Sequence, residues 1–120
     1  MRAELKYLHT PDAPSLRLYA PENSSVFGIF VEAMVGPEGD DSSESFGFQL
    51  CTPRWLEQAV KGEASAILSG RHHLIVESFD YDALHGYVNR YCSSCTGETW
   101  SEVAHRVGRL GRWEFEDYRP

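Results

Sequence analysis

The segment from Val26 to Val35 alternates so that Phe27, Ile29, Val31, Ala33 and Val35 fall on one side. A chain carrying such a run has to build a sheet with one face buried. Gly36-Pro37-Glu38-Gly39-Asp40-Asp41 follows and is dense in turn formers. A second run then sets Phe46, Phe48 and Leu50 against Ser45, Gly47, Gln49 and Cys51, so the two runs read as a β-hairpin joined by a long acidic loop. Ala3 to His9 adds a further strand, with Ala3, Leu5 and Tyr7 alternating against Glu4 and Lys6.

Helical signals occupy the rest of the chain. Thr52-Pro53 suits an N-cap followed by proline at the first helical position, where the missing N–H costs nothing. Trp55, Leu56, Ala59 and Val60 then share one face of a short helix ended by Gly62. Between Arg71 and Ser78 the alternation returns, with Leu74 and Val76 opposite Ile75, and predicts a fourth strand buried on both sides. Asp80 is placed to cap a second helix whose Leu84, Tyr87, Val88 and Tyr91 form one apolar stripe. Thr99-Trp100-Ser101-Glu102 has the form of a capping box, opening a third helix that carries Val103, Val107 and Leu110 and closes at Gly111. The tail alternates Trp113 and Phe115 with Glu114 and Glu116, the pattern of a short docked strand or extended segment. The order β-β-β-α-β-α-α, with that short C-terminal strand as an addition, predicts an α+β fold. Its sheet is mostly antiparallel, with helices packed on one face. No repeat or linker divides the chain, so residues 1–120 are expected to form a single domain.

Charge narrows the function classes. Asp and Glu number 18 against 11 Lys and Arg, a formal net charge of −7, which argues against phosphate-backbone binding and toward a basic partner. The excess is local: between Leu18 and Pro53 there are six acids and no Lys or Arg. The N-terminus has no apolar run of signal-peptide length, and no stretch approaches the roughly 20 residues of a membrane helix. A cytoplasmic location without membrane contact is the expectation. Three cysteines suit a reducing compartment.

Few residues are arranged for chemistry. Cys92-Ser93-Ser94-Cys95 closes a helix instead of opening one, the wrong end for lowering a thiol pKa, and as a zinc site it lacks a second pair. No metal or cofactor is expected. Arg71-His72-His73 is the most enzyme-like cluster, and a small hydrolase using His72 or His73 is the alternative of a different class. Adjacent strand residues point to opposite faces, however, which leaves one imidazole packed and the other exposed. No nucleophile–base pair accompanies them, so the expectation is a chain without enzymatic activity. The loop acids Glu38, Asp40, Asp41 and Glu44 read either as a solvated hairpin tip or as an electrostatic contact patch. Trp113, Glu114, Glu116, Asp117 and Tyr118 mix aromatic and acidic groups, as a recognition surface for a basic partner would. Both groups are candidate partner-binding residues, and an acidic adaptor or regulatory binding protein would show the same features.

An ordered set of segments resembles the Imm8 family of immunity proteins from bacterial polymorphic toxin systems. It runs from Ala3-Glu4-Leu5-Lys6 with Leu8-His9, through Glu32-Ala33-Met34-Val35-Gly36-Pro37-Glu38-Gly39 and Glu44-Ser45-Phe46, to Cys51-Thr52-Pro53-Arg54-Trp55-Leu56. Gly70-Arg71-His72-His73-Leu74-Ile75-Val76, Gly97-Glu98-Thr99-Trp100-Ser101-Glu102-Val103-Ala104 and Trp113-Glu114-Phe115-Glu116-Asp117-Tyr118 complete it. The resemblance implies a small α+β cytoplasmic protein, encoded beside a secreted toxin, that binds the toxin's C-terminal domain without catalysis or cofactor. It carries over no contacting residues, because family members neutralise different toxins.

Overall fold

The hairpin is the centre of the fold. In the structure, a computed structural model that describes residues 1–118, β2 (Gly28–Pro37) and β3 (Glu44–Cys51) pair antiparallel, with Val31 opposite Phe48 and Ala33 opposite Phe46. β1 (Ala3–His9) pairs antiparallel with β2 on its other side. The chain then runs through α1 (Pro53–Gly62) to β4 (His73–Ile75), which joins β3 in parallel. After α2 (Tyr81–Ser93) and α3 (Trp100–Val107), β5 (Arg112–Trp113) returns antiparallel to β3 beside Phe46 and Gly47. The result is the α+β fold read from the pattern, a mixed sheet of five strands with three helices and the short C-terminal strand present.

One face of the sheet forms the core. Val31, Ala33, Val35, Phe46 and Phe48 are fully buried there, with Leu84, Val88 and Cys92 of α2 and Val103, Ala104 and Val107 of α3 in the same cluster. β1 meets this core through a register shift between Leu5 and Tyr7. The extra residue lets Leu5 and Leu8 both point inward and turns Tyr7 outward opposite Met34, where it is 53% exposed. A bulge therefore breaks the simple alternation that had placed Tyr7 with Ala3 and Leu5.

Other elements differ from the pattern for equally local reasons. β4 is three residues long and has β3 as its one strand neighbour, so Ile75, expected to be buried, is 52% exposed. The α2 stripe is Leu84, Val88 and Cys92, and Tyr87 lies at its margin, 46% exposed. α3 stops at Val107 with Gly108 as its C-cap, three residues before Gly111. Gly111 serves the return instead: a Cβ there would lie 3.0 Å from the Phe46 backbone, so its absence lets the chain close onto β3. The Thr99 hydroxyl accepts from the Glu102 N–H as a capping box requires, whereas the Glu102 carboxylate reaches back to the Glu98 N–H. None of the α1 residues is fully buried, and Trp55 lies over Gly28, on the sheet face opposite the core.

Thr52 is the N-cap of α1 by position, but its hydroxyl is engaged elsewhere. The fully buried Oγ1 accepts from the Phe27 N–H at 3.1 Å, and the Thr52 N–H donates to the Phe27 carbonyl at 3.0 Å, pinning the entry of β2 to the exit of β3. Thr52→Val leaves the Phe27 N–H without its partner and is expected to cost about 1–3 kcal/mol, read as a lower urea midpoint. Thr52→Ser should retain most of that stability.

Candidate interaction surface

The hairpin tip is organised from below by a lysine. Lys6 Nζ donates to the carbonyls of Asp40 at 2.5 Å and Pro37 at 3.2 Å and is paired with the Glu4 carboxylate. That pairing, its hydrogen bond first, holds the Glu4 carboxyl below its ordinary pKa. Gly39 takes φ +82°, a conformation open to glycine, and the exposed Asp40 accepts the Ser42 N–H at 2.7 Å to complete the turn. Hydrogen bonds from Ser42 lower the Asp40 pKa in turn. Glu38 lies 3.9 Å from Arg2, and Asp41 has no ion pair or hydrogen bond among the described residues. Glu38, Asp40 and Asp41 therefore share one exposed tip whose backbone is fixed.

Glu44, the fourth loop acid, is placed differently. At the start of β3 it shares the core side with Val35, and its Oε1 accepts the indole N–H groups of Trp100 at 2.5 Å and Trp113 at 3.0 Å. The carboxylate thus ties the first residue of α3 and the single inward residue of β5 to the hairpin.

The tail splits in the same way. Trp113 is half-buried, stacked on Phe46 with centroids 6.3 Å apart, and faces His105 edge-on. Glu114 closes onto β3, its N–H donating to the Ser45 carbonyl and its carboxylate accepting the Ser45 N–H at 2.7 Å. Glu116 takes both terminal nitrogens of Arg71, at 2.9 and 2.5 Å. Asp117 (φ +65°) and Tyr118, whose ring stands edge-on to Phe115, remain outward. Of the five tail residues, three are occupied within the fold and two are presented.

The Arg71 hydrogen bonds are the main reason the Glu116 carboxyl is held below its ordinary value of 4.5. A carboxyl whose pKa is lowered by folding stabilises the folded state above its unfolded pKa, and the contribution is lost as pH falls through the folded one. The tail tether should therefore release only below about pH 4.5. Trp113 fluorescence is expected to report this as an acid transition that disappears in Glu116→Gln; an unchanged transition in that variant would assign the signal to another group.

Both histidines are held by backbone. His72, at φ +62°, has Nε2 2.7 Å from the Gly108 carbonyl at the end of α3, and His73 Nδ1 lies 3.2 Å from the Arg71 carbonyl. Both are half-buried, in place of one packed and one exposed ring, because His72 precedes β4 in a turn and escapes the strand alternation. No side-chain nucleophile, acid or base is hydrogen-bonded to either ring among the described residues. The three cysteines are buried free thiols, and burial pushes Cys92 up to about 12. Thiolate is the reactive form, so native protein at pH 8 is expected to resist iodoacetamide at all three while urea-unfolded protein takes up three labels.

A further surface had a sequence signal that the alternation argument passes over. The Val26–Val35 run is apolar at two positions of its outer phase, Phe30 and Met34, as well as along its core phase. The structure puts both on the face of the sheet opposite the core, with Met34 opposite Tyr7.

The family model described as immunity protein 8, Imm8, matches residues 3–118, nearly the whole chain. This chain belongs to the Imm8 immunity protein family. No curated protein and no solved structure matches it significantly. Membership gives the chain an immunity role and implies a cognate toxin as its partner. No described helix is long and apolar enough to cross a membrane.

Proposed function

We propose that this Imm8 protein neutralises a cognate bacterial toxin domain by forming a stoichiometric complex in the cytoplasm, without catalysis or cofactor, and that the toxin domain is basic, as a nuclease domain would be. The match of the Imm8 family over residues 3–118 carries the proposal. The basic character of the partner rests on charge. The acid-only stretch from Leu18 to Pro53 contains Glu38, Asp40 and Asp41, which stand together at an exposed tip, and potentials of opposite sign steer association. Asp117 and Tyr118 offer a second acidic and aromatic point, while Glu44, Trp113, Glu114 and Glu116 support the surface from within.

Co-expression tests it. The chain is expected to rescue growth of cells making the toxin domain encoded in the neighbouring reading frame, and the two should co-purify at 1:1. Failure of both rescue and co-purification sinks the proposal. A hydrolase would depend on His72 or His73, so His72→Ala and His73→Ala separate the classes: full protection by both variants is the expected result.

A further inference from the structure

The sheet face opposite the core has an unusual construction. Two of its strand positions are glycines beneath aromatic rings: Gly28 lies under Trp55 of α1, and Gly47 lies under Phe30. A Cβ on Gly47 would meet the Phe30 ring at 2.5 Å, and one on Gly28 would meet Trp55 at 2.2 Å. Each ring therefore lies down across a backbone that has no side chain to lift it. Phe30 is 38% exposed in this position, and Tyr7 and Met34 sit opposite one another on the next strand pair. The Tyr7 and His9 rings are 5.8 Å apart. The outcome is a low platform on the sheet in which Tyr7, Phe30 and Met34 stand among Glu32, Ser45 and Gln49.

Two acids stand on and beside this platform, each with a partner in the fold. Glu32 stands in its middle, accepting the Ser45 hydroxyl at 2.6 Å and lying 3.7 Å from His9. Asp12 approaches from the preceding loop, where it accepts the Phe30 N–H at 3.4 Å. The neighbouring cations are turned to partners of their own: Lys6 to Glu4 and the hairpin carbonyls, and Arg112, opposite Gly47, toward Glu116 at 3.9 Å. At one end β2 and β3 run directly into the tip that carries Glu38, Asp40 and Asp41.

We infer that this outer sheet face, centred on Tyr7, Phe30 and Met34, is the surface on which the basic toxin domain docks, with the acidic tip at its margin. The inference rests on the immunity reading and names the contact that reading leaves open. A partner surface of Arg or Lys side chains set among apolar residues fits it. Their stems cover the rings, and their charges meet ring faces, Glu32 and Asp12. Ring faces held flat by glycine need no reordering on binding, which keeps the entropic cost of the interface low.

The test uses the complex with the toxin domain from the neighbouring reading frame. Hydroxyl-radical footprinting of the unmodified pair is expected to protect Tyr7, Phe30 and Met34 and to leave Tyr87, on α2, oxidised as in the free protein. Phe30→Arg should weaken binding by about 30-fold or more and Tyr7→Ala by about 5-fold, as central and flanking interface residues do. Tyr87→Arg should stay within about threefold. Circular dichroism checks the folding of each variant, and the footprint and Tyr7→Ala decide the matter if Phe30→Arg fails to fold. Protection of Tyr87 or Tyr118 in place of the platform overturns the inference while leaving the immunity reading intact. Sedimentation showing that the free chain self-associates through Phe30 also overturns it, in favour of a second copy as occupant. Absence of any complex removes the immunity reading and this surface together.

Discussion

Replacing Glu44 by alanine is expected to lower the folding free energy by about 2–4 kcal/mol, although this residue reads from sequence as one more acid in a solvated loop. The carboxylate accepts two indole N–H groups, and hydrogen bonds to a charged acceptor are worth about 1.5–3 kcal/mol each. Partial exposure of the site reduces that value, while stranding two half-buried donors adds to the loss. The arrangement also joins the start of β3 to the start of α3 and to β5 through a single carboxylate. Its removal should loosen the Trp113–Phe46 stack together with the helix entry. For a domain of this length the thermal midpoint should fall by about 10 °C. Glu44→Gln keeps an acceptor oxygen of the same shape and should lose less than half as much. A change below about 0.5 kcal/mol for Glu44→Ala, the range of ordinary surface substitutions, would show that the two indoles are held by packing alone.

What was legible in the sequence follows from the range of the interactions involved. The β2–β3 hairpin is written in nearest-neighbour alternation, and its core phase is reproduced residue for residue, from Phe27 and Ile29 through Val35. The Asp80 and Thr99 caps are three-residue signals and appear as read, each accepting the expected backbone N–H. Signals were lost where a partner lies far along the chain or where one residue breaks the period. The indoles that engage Glu44 come from 56 and 69 residues away. The bulge at Lys6 reverses Tyr7 with no marker such as glycine. Ile75 was expected to be buried because strand length and neighbour number are properties of the assembled sheet, and β4 lies next to β3 alone. The candidate surface shows the same division. Acid clustering at Glu38, Asp40 and Asp41 could be seen directly. Phe30 and Met34 in the outer phase of β2 could be seen, but only Gly28 and Gly47 in the folded sheet show why Trp55 and Phe30 lie flat over it.

Neutralising the hairpin tip should change the rate of toxin capture far more than the lifetime of the complex. The variant that isolates this effect is Glu38→Gln with Asp40→Asn and Asp41→Asn, leaving Glu44 untouched. Asparagine at position 40 retains the oxygen that accepts the Ser42 N–H, and Lys6 donates to backbone carbonyls that the substitutions do not alter. The loop therefore keeps its shape, and the urea midpoint should match the parent. Three charges are lost from a point that projects beyond the sheet, and at low ionic strength, where screening extends about 30 Å, their field reaches an approaching cationic domain. Association at about 10 mM salt is expected to slow by about 30- to 100-fold. At about 1 M salt, where screening acts within about 3 Å, the two proteins should associate at nearly the same rate. The dissociation rate should change by less than about threefold, since rim charges act mainly on encounter. Stopped-flow mixing across that salt range decides the point. Equal association rates at low salt would remove the tip from the capture pathway, and a large rise in dissociation rate would move it from the margin of the interface into its centre.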